Sequence, residues 1–350
     1  MASSPRRSAA FAPGRVNVIG EHTDYNGGLA LPFAIAAGIT VRAQRSDSTR
    51  VHARALDLGE SDEFDLAGPA PADGWRAYVR GVVAELAAVG LAPEQGFELE
   101  IAGDLARGAG LSSSAALTVA LCLALIELAG LQTPDRVVLA QLCARVENRW
   151  AGAETGLLDQ LASLCGAAEA AVRIDFTTLS VELVPLPLDG WRLVLADSGE
   201  RHVHGSSGYN ERRAECRRAC ELLGVQSLRE AGPTRAADLP APLDRRVAHV
   251  IAENERVDAA IAALRNGDLV VLGELLNESH RSLRDLYEVS TPAVERTRER
   301  LLQDGTRGAR LVGGGFGGAV LGLLDPNTPL PRGALEVSPG PGAHLVASSA

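Results

Sequence analysis

The chain has 350 residues, more than one ordinary hydrophobic core accommodates, which predicts one large or two modest domains. Hydrophobic residues make up 46% and charged residues 22%, as in globular proteins, and the net charge of −10 argues against nucleic acid or an anionic membrane as a partner. The sequence contains no lysine, which excludes a phosphate-loop lysine, a Schiff base and a kinase-type strand lysine.

The first residues, "MASSPRRSAAFAPGR", carry no apolar h-region, so we expect no secretory signal peptide. Five scattered cysteines without a CxxC pair predict free thiols in a reducing, cytoplasmic compartment. The most apolar stretch, residues 115–131, contains Thr118 and Glu127 and is short for a membrane span. It predicts a buried helix.

The predicted elements follow one another in a mixed order. The stretch "GRVNVIGEHTDYNGG", residues 14–28, begins with a strand-like apolar run and continues into a polar cluster. Hydrophobic alternation predicts strands over residues 37–56. The remaining patterns of the first half predict a helix at 75–90, a strand at 97–103, helices at about 115–131, 134–150 and 156–166, and strands at 171–176 and 180–186.

A Pro-Leu-Asp-Gly turn at 187–190 precedes a new strand at 191–198, so we place a domain boundary there. This gives an N-terminal domain, 1–188, and a C-terminal domain, 189–350. Helices dominate residues 208–304, and 309–324 predict a strand, a glycine turn and a strand. Helices and strands without strict βαβ alternation predict an α+β fold.

The stretch "GAGLSSSAA", residues 108–116, places flexible backbone and three hydroxyls at the start of the apolar helix. Helix N-termini carry free N–H donors and partial positive charge, so phosphate or Mg²⁺ suits this position. A serine N-cap on a plain core helix is the alternative.

The stretch "GGGFGG", residues 313–318, fits the G-x-G-x-x-G pattern of dinucleotide-binding proteins. That fingerprint opens a helix, but "AVLGLL" follows here and predicts a strand. A tight turn between two strands, closely approached by another segment, therefore fits better than a nicotinamide site.

The polar cluster Glu21, His22 and Asp24 allows three interpretations: metal ligands, a sugar clamp or a capped turn. A metal site lacks a second histidine at helical spacing. A turn requires only the Asp, Asn and Gly of "DYNGG". Adjacent carboxylates and a histidine can bond several hydroxyls at once, as polyol recognition requires.

The three stretches together, in this order, resemble the GHMP kinase superfamily, and the first is similar to the galactokinase signature. The similarity extends to "WRAYVRGV" (75–82), "VENRWAGAETGLLDQ" (146–160) and "SSGYNERRAEC" (206–216). It implies a two-domain GHMP-kinase-like fold with the active site in the cleft between the domains. It also implies ATP-dependent phosphorylation of a monosaccharide, D-galactose first, at its anomeric hydroxyl.

The resemblance also implies roles for individual residues. Asp159 is the expected catalytic carboxylate, and Arg15 beside it would keep it charged and therefore a weak base. The expected sugar contacts are Glu21, His22, Asp24, Gly156 and Tyr209. Ser114 and Glu147 match the Mg²⁺ ligands. The expected ATP-binding residues are Gly108, Gly110, Leu111, Ser112, Ser113, Ser114, Ala115 and Trp75, although Trp75 fits a plain core position equally well.

Three departures from the family pattern leave the identity of the sugar open. Gly208 stands where Glu commonly precedes Tyr209, Thr118 stands where Glu is frequent, and the usual helix after residues 313–318 is missing. A relative acting on another or larger sugar, or on a sugar phosphate, is the alternative. A sugar and ATP sensor without turnover is a further one. We expect a monomer or weak homo-oligomer with a small-molecule partner.

Overall fold

The computed structural model describes residues 6–105, 110–152, 156–200, 205–232 and 236–347, with the backbone alone for 205–207. The first of three sheets has six strands in the order β13-β1-β3-β6-β4-β5. Its members are β1 (Arg7–Asn17), β3 (Pro32–Arg45), β4 (Arg50–Ala55), β5 (Glu60–Asp65), β6 (Phe97–Gly103) and β13 (His344–Leu345). Adjacent strands are antiparallel except for β4 and β6, which are parallel.

Helices α2 (Ser113–Ala129) and α4 (Leu158–Cys165) pack on this sheet, and α1 (Trp75–Ala88) and α3 (Arg136–Trp150) pack against α2. Helix α2 is apolar on all sides because it lies between the sheet and the other three helices. The predicted buried helix is therefore confirmed. No helix in the described ranges has the length and apolarity needed to cross a membrane.

The second half of the chain forms a four-stranded antiparallel sheet in the order β10-β11-β9-β12. Its strands are β9 (Arg192–Asp197), β10 (Thr306–Leu311), β11 (Ala319–Leu324) and β12 (Ala334–Val337). The long helices in the described residues of this half are α5 (Gly205–Leu223), α6 (Leu243–Arg265), α7 (Leu269–Asp285) and α8 (Pro292–Gln303). A third sheet joins β2 (Leu29–Ala30), β7 (Ala170–Asp175) and β8 (Ser180–Pro185).

The last strand returns to the first sheet. In β13, Leu345 pairs with Ala10 of β1, and the N–H of Ala343 donates to the carbonyl of Ser163 in α4 at 2.8 Å. The first and last strands among the described residues therefore belong to the same sheet. The domain boundary at residues 188 and 189 stays a prediction.

The mixture of helices and antiparallel strands confirms the predicted α+β class. Residues 325–333 form turns rather than a helix, as the sequence predicts for the segment after residues 313–318. All five cysteines are free thiols, and four of them are buried.

Candidate active site

Arg15 and Asp159 form an ion pair between β1 and α4. Nε of Arg15 donates to Oδ1 of Asp159 at 2.7 Å, and Nη2 lies 2.7 Å from the same oxygen. Nη1 of Arg15 donates to the carbonyl of Gly110 at 2.7 Å. The pair predicted from sequence is therefore in contact, and the same guanidinium also holds the loop that precedes α2.

Ser112 supplies a second donor to Asp159. Its Oγ donates to Oδ2 at 2.5 Å, so both carboxylate oxygens accept charge-assisted hydrogen bonds. The serine has a left-handed backbone, with φ of 58°, and its side chain makes no capping hydrogen bond to α2. The plain N-cap interpretation of this serine is wrong, because its hydroxyl bonds to the carboxylate and not to the helix.

The start of α2 has the properties expected of an anion site. Ser113, Ser114 and Ala115 form its first turn, where backbone N–H groups have no partner within the helix. Leu111 is buried and its carbonyl accepts from the N–H of Arg15 at 3.2 Å. Gly108 lies outside the described residues, and Gly110 has the left-handed φ of 70°.

Ser114 and Glu147 both face Tyr78 of α1. Burial raises the pKa of the Tyr78 hydroxyl, the negative charge of Glu147 raises it further, and a hydrogen bond with Ser114 opposes the shift. A hydroxyl and a carboxylate from α2 and α3 therefore converge beside one phenol. Such donors fit Mg²⁺, which binds few protein oxygens and completes its shell with phosphate and water.

Trp75 begins α1 and packs, half-buried, against the core of the first half. Its indole N–H donates to Glu60 at 2.9 Å, and the guanidinium of Arg76 lies 5.0 Å from its ring centre. These contacts are compatible with either predicted role, so stacking on adenine stays a prediction.

The segment 20–28 forms the polar cluster seen in the sequence. Asp24–Asn26 is a short 3-10 turn, and the hydroxyl of Thr23 bonds to the carbonyls of Gly20 and Leu29 at 2.9 and 2.7 Å. The turn interpretation is thus confirmed for this part. In the described chain, no three His, Cys, Asp or Glu side chains converge to hold a metal.

Asp24 lies directly against Gly156. A Cβ at Gly156 would come within 2.1 Å of Oδ2 of Asp24, so only glycine leaves room for this carboxylate. Burial raises the pKa of Asp24 to about 6, and the charges of Asp159 and Glu21 contribute to the rise. Three acidic side chains, Asp24, Asp159 and Glu21, are therefore close enough to influence one another.

His22 and Tyr209 lie against each other in the same part of the structure, with ring centres 5.6 Å apart. The pKa of His22 is lowered to about 3, chiefly by burial and to a smaller extent by the nearby His249, so its imidazole is neutral. Nδ1 of His22 lies 2.8 Å from the hydroxyl of Tyr25, which in turn lies 3.0 Å from the hydroxyl of Tyr287.

Residues of the second half of the chain contact the backbone and side chains of the segment 17–29. Glu253 of α6 accepts from the N–H of Gly20 at 3.0 Å, and Nε2 of His249 lies 3.2 Å from the carbonyl of Glu21. Arg310 of β10 lies 3.0 Å from the Glu21 carboxylate. Sequence reasoning missed these residues, and the only signal was the position of Arg310 close before the glycine run.

The loop "GGGFGG" is a tight turn between two antiparallel strands, as predicted. A Cβ at Gly315 would meet the carbonyl of Val289 at 2.5 Å, and one at Gly314 would meet the ring of Tyr209 at 3.0 Å. The N–H of Gly313 donates to Oε1 of Glu21 at 2.8 Å. The loop therefore contacts two of the residues that line the pocket.

Gly208, the departure next to Tyr209, also faces this loop. A Cβ at Gly208 would come within 2.6 Å of the ring of Phe316. The absence of a side chain therefore allows α5 to pack directly on the glycine loop. Any larger residue at this position would require Phe316 to move.

Three family models match the chain. The GHMP kinases N terminal domain matches residues 77–167, the galactokinase galactose-binding signature matches 2–45, and the GHMP kinases C terminal domain matches 260–337. These matches contain, respectively, the serine-rich stretch 108–116, the polar cluster within residues 14–28 and the glycine loop 313–318.

Curated relatives match most of the chain. Galactokinase of Mycobacterium tuberculosis is 42% identical over 320 residues, which are 89% of this chain and 88% of that protein. Galactokinase of Thermotoga petrophila is 39% identical over 313 residues, again 89% and 88% of the two chains.

Solved structures agree with these matches. Lactococcus lactis galactokinase complexed with galactose superposes with a TM-score of 0.90 at 34% identity, covering 97% of this chain and 95% of that one. A mevalonate kinase superposes with a TM-score of 0.67 at 19% identity, covering 91% of each chain, and shares the fold.

Proposed function

The chain belongs to the galactokinases of the GHMP kinase superfamily, and from this premise we propose that it phosphorylates D-galactose at its anomeric hydroxyl. The reaction uses ATP and gives galactose 1-phosphate. The enzyme is a sugar kinase, with a small-molecule sugar as its partner. We further propose that it works in the cytoplasm as a monomer or weak homo-oligomer.

The contact between Asp24 and Gly156 is the observation that supports this function most strongly. Gly156 lies three residues before Asp159, so the close fit brings a hydroxyl-binding carboxylate next to the Arg15–Asp159 pair. Recognition groups and reactive groups therefore share one pocket. A sugar bound by the first set lies against the second.

Asp159 is the proposed catalytic carboxylate. Its two oxygens are held by Arg15 and Ser112, which fixes its orientation towards the anomeric hydroxyl. Arg15 adds positive charge where the transferred group becomes negative, so positioning and electrostatics supply most of the rate.

Glu21, His22, Asp24, Gly156 and Tyr209 are the proposed sugar contacts. The neutral imidazole of His22 and the carboxylates of Glu21 and Asp24 offer acceptors and a donor to several hydroxyls. A sugar that misplaces one hydroxyl leaves such a buried group unpaired, at a cost of about 1–3 kcal/mol. This cost is the proposed basis for separating galactose from glucose.

The start of α2 is the proposed phosphate site. Gly110, Leu111, Ser112, Ser113, Ser114 and Ala115 would hold the ATP phosphates through backbone N–H groups, together with Gly108, and Trp75 would contact adenine. Ser114 and Glu147 would hold Mg²⁺, since both face Tyr78. The bound cation supplies positive charge that neutralises the phosphate oxygens.

The test is release of ADP with MgATP against a panel of free sugars and sugar phosphates. We expect galactose to give the largest kcat/KM, with glucose far behind. Turnover led by another sugar would keep the reaction and replace the substrate. If no sugar in the panel caused ADP release although ATP and galactose both bound, a sensor would be favoured and the proposed reaction overturned.

A further inference from the structure

We propose that Arg310 is a positioning residue of the sugar site, whose guanidinium orients the carboxylate of Glu21 and so sets the discrimination among sugar hydroxyls. The proposal rests on the proposed function, because it takes Glu21 as a sugar contact. It adds a residue of the second sheet to a site otherwise built largely from the first 30 residues and α4.

Arg310 is completely buried, with a relative exposure of 0%. It lies on β10, opposite Leu321 of β11, three residues before Gly313. A buried guanidinium is costly unless its charge and its donors are compensated. Its partners therefore show what the side chain does.

Those partners lie in residues 17–21. Nη1 donates to the carbonyls of Asn17 and Val18 at 3.0 and 2.8 Å, and Nη2 lies 3.0 Å from Oε1 of Glu21. Among the described residues, neither Nε nor Nη2 has a hydrogen-bond partner, so the contact between Nη2 and Glu21 is an ion pair without hydrogen-bond geometry. The Glu21 carboxylate is therefore the counter-charge in direct contact, and the two carbonyls fix the position of the guanidinium.

Glu21 is held through one oxygen only. Oε1 accepts a hydrogen bond from the N–H of Gly313 at 2.8 Å and forms an ion pair with Nη2 of Arg310 at 3.0 Å. No group in the described part of the chain hydrogen-bonds to Oε2. The carboxylate is thus anchored on one side, and its second oxygen remains available to a sugar hydroxyl.

The Glu21 carboxylate lies close to other proposed sugar contacts, since its Oε1 accepts from the N–H of Gly313 and the next residue, Gly314, lies against the ring of Tyr209. The negative charge of Glu21 raises the pKa of both Asp24 and Tyr209, although burial is the largest cause in each case. Asp24 and Tyr209 are two of the other proposed sugar contacts. The residue that Arg310 orients therefore faces the same space as they do.

Arginine suits this position better than lysine. Its planar fork lets one nitrogen bridge two carbonyls while another meets the carboxylate, whereas an ammonium group is a single point. Lysine would keep the charge beside Glu21 and lose the fixed geometry. Methionine would lose both.

A purely structural role is the competing explanation, since Arg310 also joins β10 to the segment after β1. Loss of such an anchor would lower stability and the active fraction, and it would change the KM values for sugar and ATP together or leave both unchanged. Arg298 of α8 provides a matched control. It donates to the carbonyl of Ala309 on the same strand and to Asn277, both at 2.8 Å, with no contact to residues 17–21.

The experiment compares wild type, Arg310→Lys, Arg310→Met and Arg298→Met. It measures KM for galactose, KM for ATP, kcat, and kcat/KM for the 2-, 3-, 4- and 6-deoxygalactoses. We expect Arg310→Met to raise KM for galactose at least about tenfold with KM for ATP within about twofold, and Arg310→Lys to be intermediate. Arg298→Met should lower only the melting temperature.

The deoxygalactoses identify the hydroxyl concerned. Glu21→Gln should reduce the penalty for removing one hydroxyl, and Arg310→Met should reduce the penalty at the same position by at least about fivefold. A folded Arg310→Met enzyme with the wild-type deoxysugar profile, or with equal rises in both KM values, would overturn the proposal.

If Arg310→Met does not fold, Arg310→Lys supports or overturns the proposal by the same comparisons. Failure of the proposed function is a separate outcome, because it is recorded on the wild type. Wild-type enzyme that is silent with galactose overturns both ideas. An active wild type with unaffected Arg310 variants overturns only the role of Arg310.

Discussion

Ser112 couples the shape of the loop before α2 to the position of Asp159. Its left-handed backbone, with φ of 58°, costs about 1–2 kcal/mol for a residue with a side chain. The hydroxyl of this residue bonds to Asp159 at 2.5 Å, and Arg15 bonds to both the loop and the same carboxylate. The proposed phosphate site and the proposed catalytic carboxylate are therefore connected through the same two side chains.

Replacing Asp159 tests the reactive group directly. We expect Asp159→Ala to lower kcat at least about a hundredfold, because the oriented carboxylate is lost, while the dissociation constant of ATP changes little. Steady-state ADP release and calorimetric ATP binding measure the two effects. Asp258, an exposed carboxylate of α6, is the control, and Asp258→Asn should leave both unchanged. Turnover retained in Asp159→Ala would remove Asp159 from its proposed role.

Asp24 should reduce stability as the pH rises. Its pKa is about 6 in the folded protein and about 4 in an unfolded chain, so its ionisation opposes folding increasingly from pH 4 to above pH 6. Asp24→Asn should therefore raise the free energy of unfolding by up to about 3 kcal/mol at pH 8 and by little at pH 4. Urea unfolding at the two pH values measures this difference.

The same substitution should weaken sugar binding by about 1–3 kcal/mol at pH 8, because an amide cannot replace a carboxylate that accepts two hydroxyls. Calorimetry with galactose provides the measurement. An equal stability change at both pH values would contradict the raised pKa. An unchanged sugar affinity would exclude Asp24 from the sugar site.

At the scale of elements, hydrophobic periodicity predicted the helices and strands whose buried face gives a regular apolar pattern. The helix expected at 75–90 is α1 (Trp75–Ala88), and the strand expected at 97–103 is β6 in full. In β5 only Phe64 is buried, so its acidic sequence gave no alternating signal. The first part of β1 was missed because residues 8–12 are mostly small and lack β-branched side chains.

The glycine loop offers a matched pair of substitutions. Gly313 and Gly315 both have a left-handed backbone, with φ of 83° and 76°, but a Cβ would meet nothing at Gly313 and the backbone of Val289 at Gly315. Gly313→Ala should cost about 1–2 kcal/mol of unfolding free energy, and Gly315→Ala about 1–3 kcal/mol more. If both variants lost the same unfolding free energy in chemical denaturation, Val289 would have moved aside for the new methyl group without measurable destabilisation.

At the scale of the molecule, the sequence indicated which residues matter locally but not what supports them. Arg15, Glu21 and Asp24 lie within a recognisable signature, whereas Glu253 and Arg310 reach that signature across more than 200 residues of chain. Neither belongs to a local pattern that marks it as a partner. Such contacts depend on how the two halves pack, which periodicity and motif spacing do not specify.

The returning strand β13 should stabilise the first half of the molecule. Truncation after Val337 removes its pairing with Ala10 and Phe11, and the hydrogen bond from Gly340 to Ala34 at 2.7 Å. We expect the melting temperature to fall by a few degrees, since about 1 kcal/mol shifts it by roughly 1–2 °C in a chain of 350 residues. A chain ending at Ala347 keeps every contact described and is the control. Equal melting temperatures would contradict the expectation.

The attachment of residues 17–29 to the second half bears on how this protein can be recombined with its relatives. Most groups proposed to read the sugar are encoded near the amino terminus, yet their backbone is held by α6 and β10. A chimera that takes only the first third from one parent would combine these groups with residues of α6 and β10 from the other parent. A chimera should therefore keep the sugar preference of one parent only when the opening segment and the residues from the start of α6 onward come from that same parent.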